Sequence, residues 1–246
     1  MNVAFKKGKG FFGRFANSLK GDVLLQYRSG FYFVYFFLSV LYIFALRFLP
    51  LAERKFLIPL VIFSDPAVVG FLIIGAIVIL ERDDGTQKAV FATPLRPWEY
   101  LLSKGVSLTI LAVSTSIAIA FFSAEAEFNV TILVIATAMT SVFFILIGLV
   151  FVSRIKVFNR YLFGAGLGLS WINMPLFDYL GFVDSPLFWL FPTQPMLLLM
   201  GSAFRPEVYG TGEVLFSYLL LCGWIFVAWR WALDWFWRYE LGGEGR

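Results

Sequence analysis

The sequence predicts an all-α, polytopic membrane protein: six transmembrane helices, an N-terminal interfacial helix, a short cytoplasmic helix and an outer re-entrant helical hairpin. Three observations carry this. First, 60% of the 246 residues are hydrophobic, 20% are aromatic and 15% are charged, whereas soluble domains run at about 45–50% apolar and about 25% charged. Second, the apolar residues gather into runs near the roughly 20 residues that a helix needs to cross a bilayer. Third, the basic residues fall unevenly between those runs.

In chain order, residues 10–28 carry Phe12, Phe15, Leu19 and Val23 at three- and four-residue spacing, with Arg14, Lys20 and Arg28 among them. This pattern predicts a basic amphipathic helix lying along the interface. It is too short and too charged to be a span, and no short apolar core with a small-residue cleavage site marks a signal peptide. Six spans follow: Phe31 to Leu49, Phe56 to Leu80, about Gly105 to Phe122, Val130 to Ser153, Leu162 to about Leu176, and about Val214 to Trp235. An even number puts both termini on one side. With that side inside, sixteen of the twenty Lys and Arg residues are cytoplasmic and four (Arg47, Arg54, Lys55, Arg205) are not, so the positive-inside rule predicts cytoplasmic termini. Trp229, Trp231, Trp235 and Trp237 suit an aromatic belt at the inner end of the sixth span.

Two segments depart from simple spans. Ser64-Asp65-Pro66 interrupts the second run. Asp before Pro at the head of an apolar stretch reads first as an N-cap with proline at N1, which would start the long helix there. Phe56 to Phe63 would then dip into the outer membrane face. The competing reading makes Asp65 a buried ionisable residue on a substrate path. Between the fifth and sixth runs, residues 177–213 hold several prolines yet stay apolar from Leu187 to Phe204, broken at Phe191-Pro192-Thr193-Gln194-Pro195. No straight span tolerates that spacing, whereas a broken helix buried in protein does. A re-entrant hairpin is therefore expected, with an amphipathic surface loop as the alternative.

The stretch 81–104 is dense in charge and turn residues. Thr86 is suited to cap a short helix through Thr93, with Ala89, Val90 and Phe91 as an apolar patch. Pro94 ends it, and Pro97 with Glu99 begins the next helix. A structured elbow with exposed apolar residues predicts a docking surface. The absence of histidine excludes His-based triads, H-E-x-x-H metalloproteases and imidazole proton relays, and a single cysteine, Cys222, excludes an intrachain disulfide. No G-x-x-x-x-G-K-[ST] loop occurs, so ATP hydrolysis is not expected of this chain.

Glu81, Gly85-Thr86, Thr93-Pro94 and Lys104 stand where type-2 ABC exporter permeases carry an acidic residue ending the second span, a Gly-Thr pair, a small-Pro step and a lysine opening the third span. The region resembles that family's cytoplasmic signature. Residues 25–32, Phe63-Ser64-Asp65-Pro66 and Pro192-Thr193-Gln194-Pro195 further resemble its fluoroquinolone-export subgroup, and the similarity extends over nearly the whole chain as one permease domain, 1–246. Asp83-Asp84 departs from the pattern, where a less charged pair often precedes Gly-Thr.

The resemblance implies the type-2 exporter permease fold, with residues 10–28 as a connecting helix and 84–93 as a coupling helix. It implies ATPase coupling through Glu81, Gly85, Thr86, Val90, Phe91 and Pro94. It implies separate ABC ATPase subunits that bind ATP and magnesium, with no cofactor in this chain, and a second permease subunit, identical or not. It implies export of a small amphipathic or drug-like substrate across the cell membrane, and no nucleic-acid partner. A path between the second and fifth spans would involve Phe71, Gly75, Leu169 and Asn173, for which ordinary helix packing is the competing reading. The alternative function is an ion-coupled secondary transporter, for which Asp65, Asp178 and Asp234 are the carboxylates near apolar runs.

Overall fold

The protein is described from a computed structural model, which covers residues 11–86, 96–124, 128–155 and 157–236, without the side chains of Ala52, Val68, Pro97, Trp235 and Phe236. Among these residues all regular structure is helical. The helices are α1 (Phe11–Arg28), α2 (Phe31–Arg47), α3 (Leu51–Ser64), a π-helical turn (Asp65–Gly70), α4 (Phe71–Asp83), α5 (Pro97–Ser123) and α6 (Val130–Ser153). They continue with α7 (Phe158–Ile172), α8 (Leu176–Tyr179), a 3₁₀ turn (Pro186–Leu190), α9 (Thr193–Phe204) and α10 (Thr211–Phe236). The two ends of the bundle are called here the elbow end, where α4 hands over to α5, and the hairpin end, where α8 leads to α9.

Among the described residues, four helical stretches are long and apolar enough to cross a membrane: Glu53–Asp83, Trp98–Ser123, Val130–Ser153 and Thr211–Asp234. A fifth candidate is the pair α1 and α2, bent by 64°. The bend sits at Gly30, whose φ of 76° falls in the left-handed region open to glycine. α7 has 15 residues, which gives about 22 Å of helix against a hydrocarbon core of about 30 Å.

α6 is the central post. It packs against α5, α10, α4, α9 and the π turn, and from Phe143 to Val150 it is buried without a break. Small residues let its neighbours close in. A Cβ on Gly148 would lie 2.5 Å from Ile74 Cγ2, and one on Gly168 of α7 would lie 2.8 Å from the Phe151 ring. Thr109 of α5 bonds Ser141 of α6 at 3.2 Å, an interhelical contact.

The second apolar run corrects the helix-start expectation. Asp65 is not an N-cap; its backbone is right-handed helical (φ −64°, ψ −61°) and the helix continues from α3 through the π turn into α4. Phe56 to Phe63 is accordingly part of that rod and not a separate outer segment. The physical reason lies in Pro66. Its ring would strike the carbonyl four residues back in a regular α-helix, and a π turn widens the ladder there. The Asp65 side chain turns away from the backbone and accepts a hydrogen bond from Thr115 Oγ1 at 2.6 Å.

The region expected as a hairpin packs into the bundle. Every residue of α9 except Gln194 is buried, against α3, α6 and α10, so the surface-loop alternative does not hold. Pro195 is the third residue of α9, where the backbone N–H has no helical partner to lose. The Thr193 hydroxyl donates to the Ile172 carbonyl (2.7 Å) and the Asn129 N–H donates to the Ala203 carbonyl (2.8 Å), which ties the two ends of α9 to α7 and α6.

Candidate functional site

At the elbow end, three helices meet around one ammonium group. Lys104 of α5 is completely buried. Its Nζ donates to Asp22 Oδ1 of α1 at 2.8 Å and to Glu81 Oε1 of α4 at 2.6 Å, and it lies 4.6 Å from the centroid of the Tyr100 ring. Each carboxylate uses its other oxygen as well. Tyr100 Oη donates to Glu81 Oε2 at 2.5 Å, and Ser103 Oγ donates to Asp22 Oδ2. Both acids are buried. Two buried carboxylates with four bonded oxygens form the kind of satisfied network that is stable in a low-dielectric setting.

The network extends along α1. Arg14 makes a two-point contact with Glu99, 2.6 Å from Nη2 to Oε1 and 3.2 Å from Nε to Oε2. Gln26 Nε2 donates to Ser107 Oγ at 2.7 Å. Arg14, Asp22 and Gln26 of α1 thus meet Glu99, Ser103/Lys104 and Ser107 of α5 in the same order, so the two helices run alongside in parallel. Glu99 also accepts from the Arg96 N–H at 3.0 Å, which satisfies that backbone donor at the start of α5. On the far side, Arg82 Nη1 donates to the carbonyls of Val152 and Ile155, both at 3.0 Å, which ties the end of α4 to the end of α6.

Gly85 has a structural reason. It follows Asp84, the C-cap of α4, with φ 68°, and its N–H donates to the Arg82 carbonyl at 3.1 Å. A left-handed residue after a helix end favours glycine. Gly85 therefore closes α4 with a turn.

Glu81 is brought into the network and faces inward. Gly85 and Thr86 stand at the exit of α4. Val90, Phe91 and Pro94, with the expected helix through Thr93, lie outside the described residues. Phe71 and Gly75 are placed together against α7. Tyr161 Oη donates to the Phe71 carbonyl at 2.5 Å, the two rings stack, and a Cβ on Gly75 would lie 2.1 Å from the Tyr161 ring. Leu169 is buried further along α7, and Asn173, the C-cap of that helix, has a buried Oδ1 with no hydrogen-bond partner.

Sequence reasoning missed Asp22, Tyr100 and Ser103. The signal for Asp22 was present: it is the one acidic residue in the otherwise basic segment 10–28. That segment turns its polar stripe to the protein, burying Asp22 and Gln26, and leaves Phe12 83% exposed.

The chain matches the fluoroquinolones export permease protein family over residues 13–243. It belongs to that family. It is also 27% identical over 192 residues, 78% of this chain and 81% of theirs, to fluoroquinolones export permease proteins of Mycobacterium tuberculosis strains CDC 1551 / Oshkosh and ATCC 25618 / H37Rv. Within this permease family framework, the network at Lys104 is a feature of a transport subunit. Its ionisable groups bond one another and hold helices together.

Proposed function

We propose that this permease is the membrane-spanning subunit of an ATP-driven ABC exporter, moving a small amphipathic or drug-like molecule, such as one of fluoroquinolone type, out across the cell membrane. Six spans serve: α2, the rod of α3 and α4, α5, α6, α7 with α8, and α10. The elbow end and both termini face the cytoplasm, and α8 to α9 form a re-entrant hairpin on the outer side. A second permease subunit completes the path, with Phe71, Gly75, Leu169 and Asn173 at the seam between the second and fifth spans. Separate ATPase subunits bind ATP and magnesium and press on the elbow through Gly85, Thr86, Val90, Phe91 and Pro94.

The observation that carries this reading is the joining of α1, α4 and α5, on both sides of the elbow, by Asp22, Glu81 and Lys104. A force applied to residues 84–96 reaches α1, α4 and α5 together, because their buried charges cannot separate cheaply. Glu81 acts from inside, as a positioning residue. A partner needs only differential contact with two arrangements of that unit to bias them.

The test is reconstitution of the permease in liposomes with its candidate ATPase. Phe91→Asp is expected to lower drug-stimulated ATP hydrolysis at least fivefold, and Glu81→Gln to lower it while ATPase still co-purifies. Unchanged stimulation in both variants would overturn the coupling assignment. One observation favours a second reading, an ion-coupled carrier: Asp65 is a buried carboxylate inside an apolar rod. Transport that persists without ATPase and collapses with the proton gradient would select it.

A further inference from the structure

The hairpin end holds a second constellation that the coupling network does not use. A cavity of about 270 Å³ opens between α3, α8, α9 and the link from α9 to α10. Arg205 sits on its wall, with its guanidinium carbon 5.1 Å from the Phe56 ring centroid and 5.8 Å from those of Tyr179 and Tyr209. Its Nη2 donates to Tyr179 Oη at 3.1 Å and to Tyr209 Oη at 3.2 Å. Tyr179 Oη in turn donates to the Phe56 carbonyl at 2.9 Å.

The remaining capacity is informative. Arg205 Nε is buried and has no hydrogen-bond partner. Among the described residues no carboxylate lies within ion-pair distance of Arg205. Across the same cavity, Gln194 Nε2 donates to Asp178 Oδ2 at 2.6 Å, which holds that acid in place, while Gln194 Oε1 is buried and unbonded. The Tyr179 and Tyr209 hydroxyls that bond Arg205 are neutral phenols, so neither supplies a counter-charge.

A half-buried guanidinium is best satisfied by a carboxylate, because its planar donors match that geometry. Phe56 and Tyr179 stack on each other with centroids 5.1 Å apart, and the rest of the cavity wall, Leu197, Leu198, Val208 and Tyr209, offers an apolar surface to a ligand's ring system. Another cavity, about 170 Å³ between α5, α6 and α10, is lined by aliphatic side chains with Thr109 and Trp229; that lining has no charge to orient a polar ligand.

We propose that the hairpin-end cavity binds planar aromatic carboxylates, with the carboxylate on Arg205, the aromatic body against Leu197, Leu198 and Tyr209 of the cavity wall, and any ammonium group of the ligand toward Asp178. Its use as a release station at the outer face rests on the exporter reading above; binding itself does not.

The experiment uses the purified full-length permease in lipid nanodiscs, without ATPase or ATP, and reads the intrinsic fluorescence of a fluoroquinolone. The probes are a fluoroquinolone, its carboxyl methyl ester, and a quinolone carboxylic acid that lacks the amine. Arg205→Gln is expected to weaken binding of both acids at least tenfold, Arg205→Lys to restore part of it, and the ester to bind the native chain as weakly as the acid binds Arg205→Gln. Asp178→Asn is expected to weaken the amine-bearing acid and leave the amine-free acid unchanged, which separates a specific loss from misfolding. No saturable binding to the native chain, equal binding of acid and ester, or unchanged binding in Arg205→Gln would each overturn the site. Because no nucleotide is present, failure of ATP coupling and failure of this site give separate results.

Discussion

Lys104 and Asp65 are both buried charges on helices of one bundle, and their surroundings are opposites. Lys104 is met by two carboxylates, each bonded again by a side-chain hydroxyl, and the five groups come from three helices. Asp65 is 2% exposed and meets Thr115 Oγ1 at 2.6 Å; no cation forms an ion pair with it among the described residues. The first arrangement fastens helices that propensity and apolar packing alone would leave free to slide. The second sits inside one rod, at a π turn, and fastens little. The difference teaches that burial of a charge says nothing by itself; what matters is how many helices its partners belong to.

The strongest way to break this contrast is Lys104→Met. It keeps the volume and removes the cation, so Asp22 and Glu81 face each other uncompensated. Breaking a buried pair by deleting one partner costs about 3–5 kcal/mol, and here two acids lose one lysine. Unfolding of the purified chain in mixed micelles is expected to show a loss of at least that size, and limited proteolysis is expected to release α1. A loss under about 1 kcal/mol would mean that the network is solvated and mechanically irrelevant.

Glu81→Gln sharpens the same point at a smaller amplitude. The amide can keep its oxygen on Lys104 and donate its NH₂ to the Tyr100 hydroxyl, but the charge opposite the lysine is gone. The expected loss is about 1–3 kcal/mol, read in the same unfolding assay. A loss equal to that of Lys104→Met would show that Glu81, and not the lysine, is the hub.

How much of this contrast was legible beforehand follows from the same residues. The runs that became α5, α6 and α10 were visible because length and apolar content alone define them; Val130 to Ser153 agrees residue for residue with α6. Glu81 and Lys104 were flagged by resemblance, twenty-three positions apart. Their shared partner was not visible, since Asp22 lies eighty-two positions from Lys104 and no periodicity links it to them. Asp65-Pro66 misled because a cap signature is local, while the choice between cap and π turn was made by packing: Ile62, Ala67 and Phe71 are all buried, and a helix start there would have torn that face from α6. Arg205 was counted only as one of four basic residues on the outer side, because its ring cage draws on α3, α8 and the α10 link.

The smallest effect should come from Asp65→Asn, and it is the sharpest test of what that acid is for. Thr115 Oγ1 lies within hydrogen-bond reach of both Asp65 Oδ2 and the Ala112 carbonyl, at 2.6 and 2.9 Å. An asparagine side chain has an oxygen to accept and an NH₂ to donate, so it can satisfy that hydroxyl in either sense. No cation is left behind, and the π turn set by Pro66 is untouched. The unfolding free energy is expected to move by less than about 1 kcal/mol, within the net worth of one hydrogen bond, and ATP-driven export should continue. If export ceases while stability holds, Asp65 carries charge that the transport cycle needs, and the ion-coupled reading gains what the exporter reading loses. If stability falls as far as in Lys104→Met, Asp65 has a cationic partner that the contrast denies, and the two sites are of one kind after all.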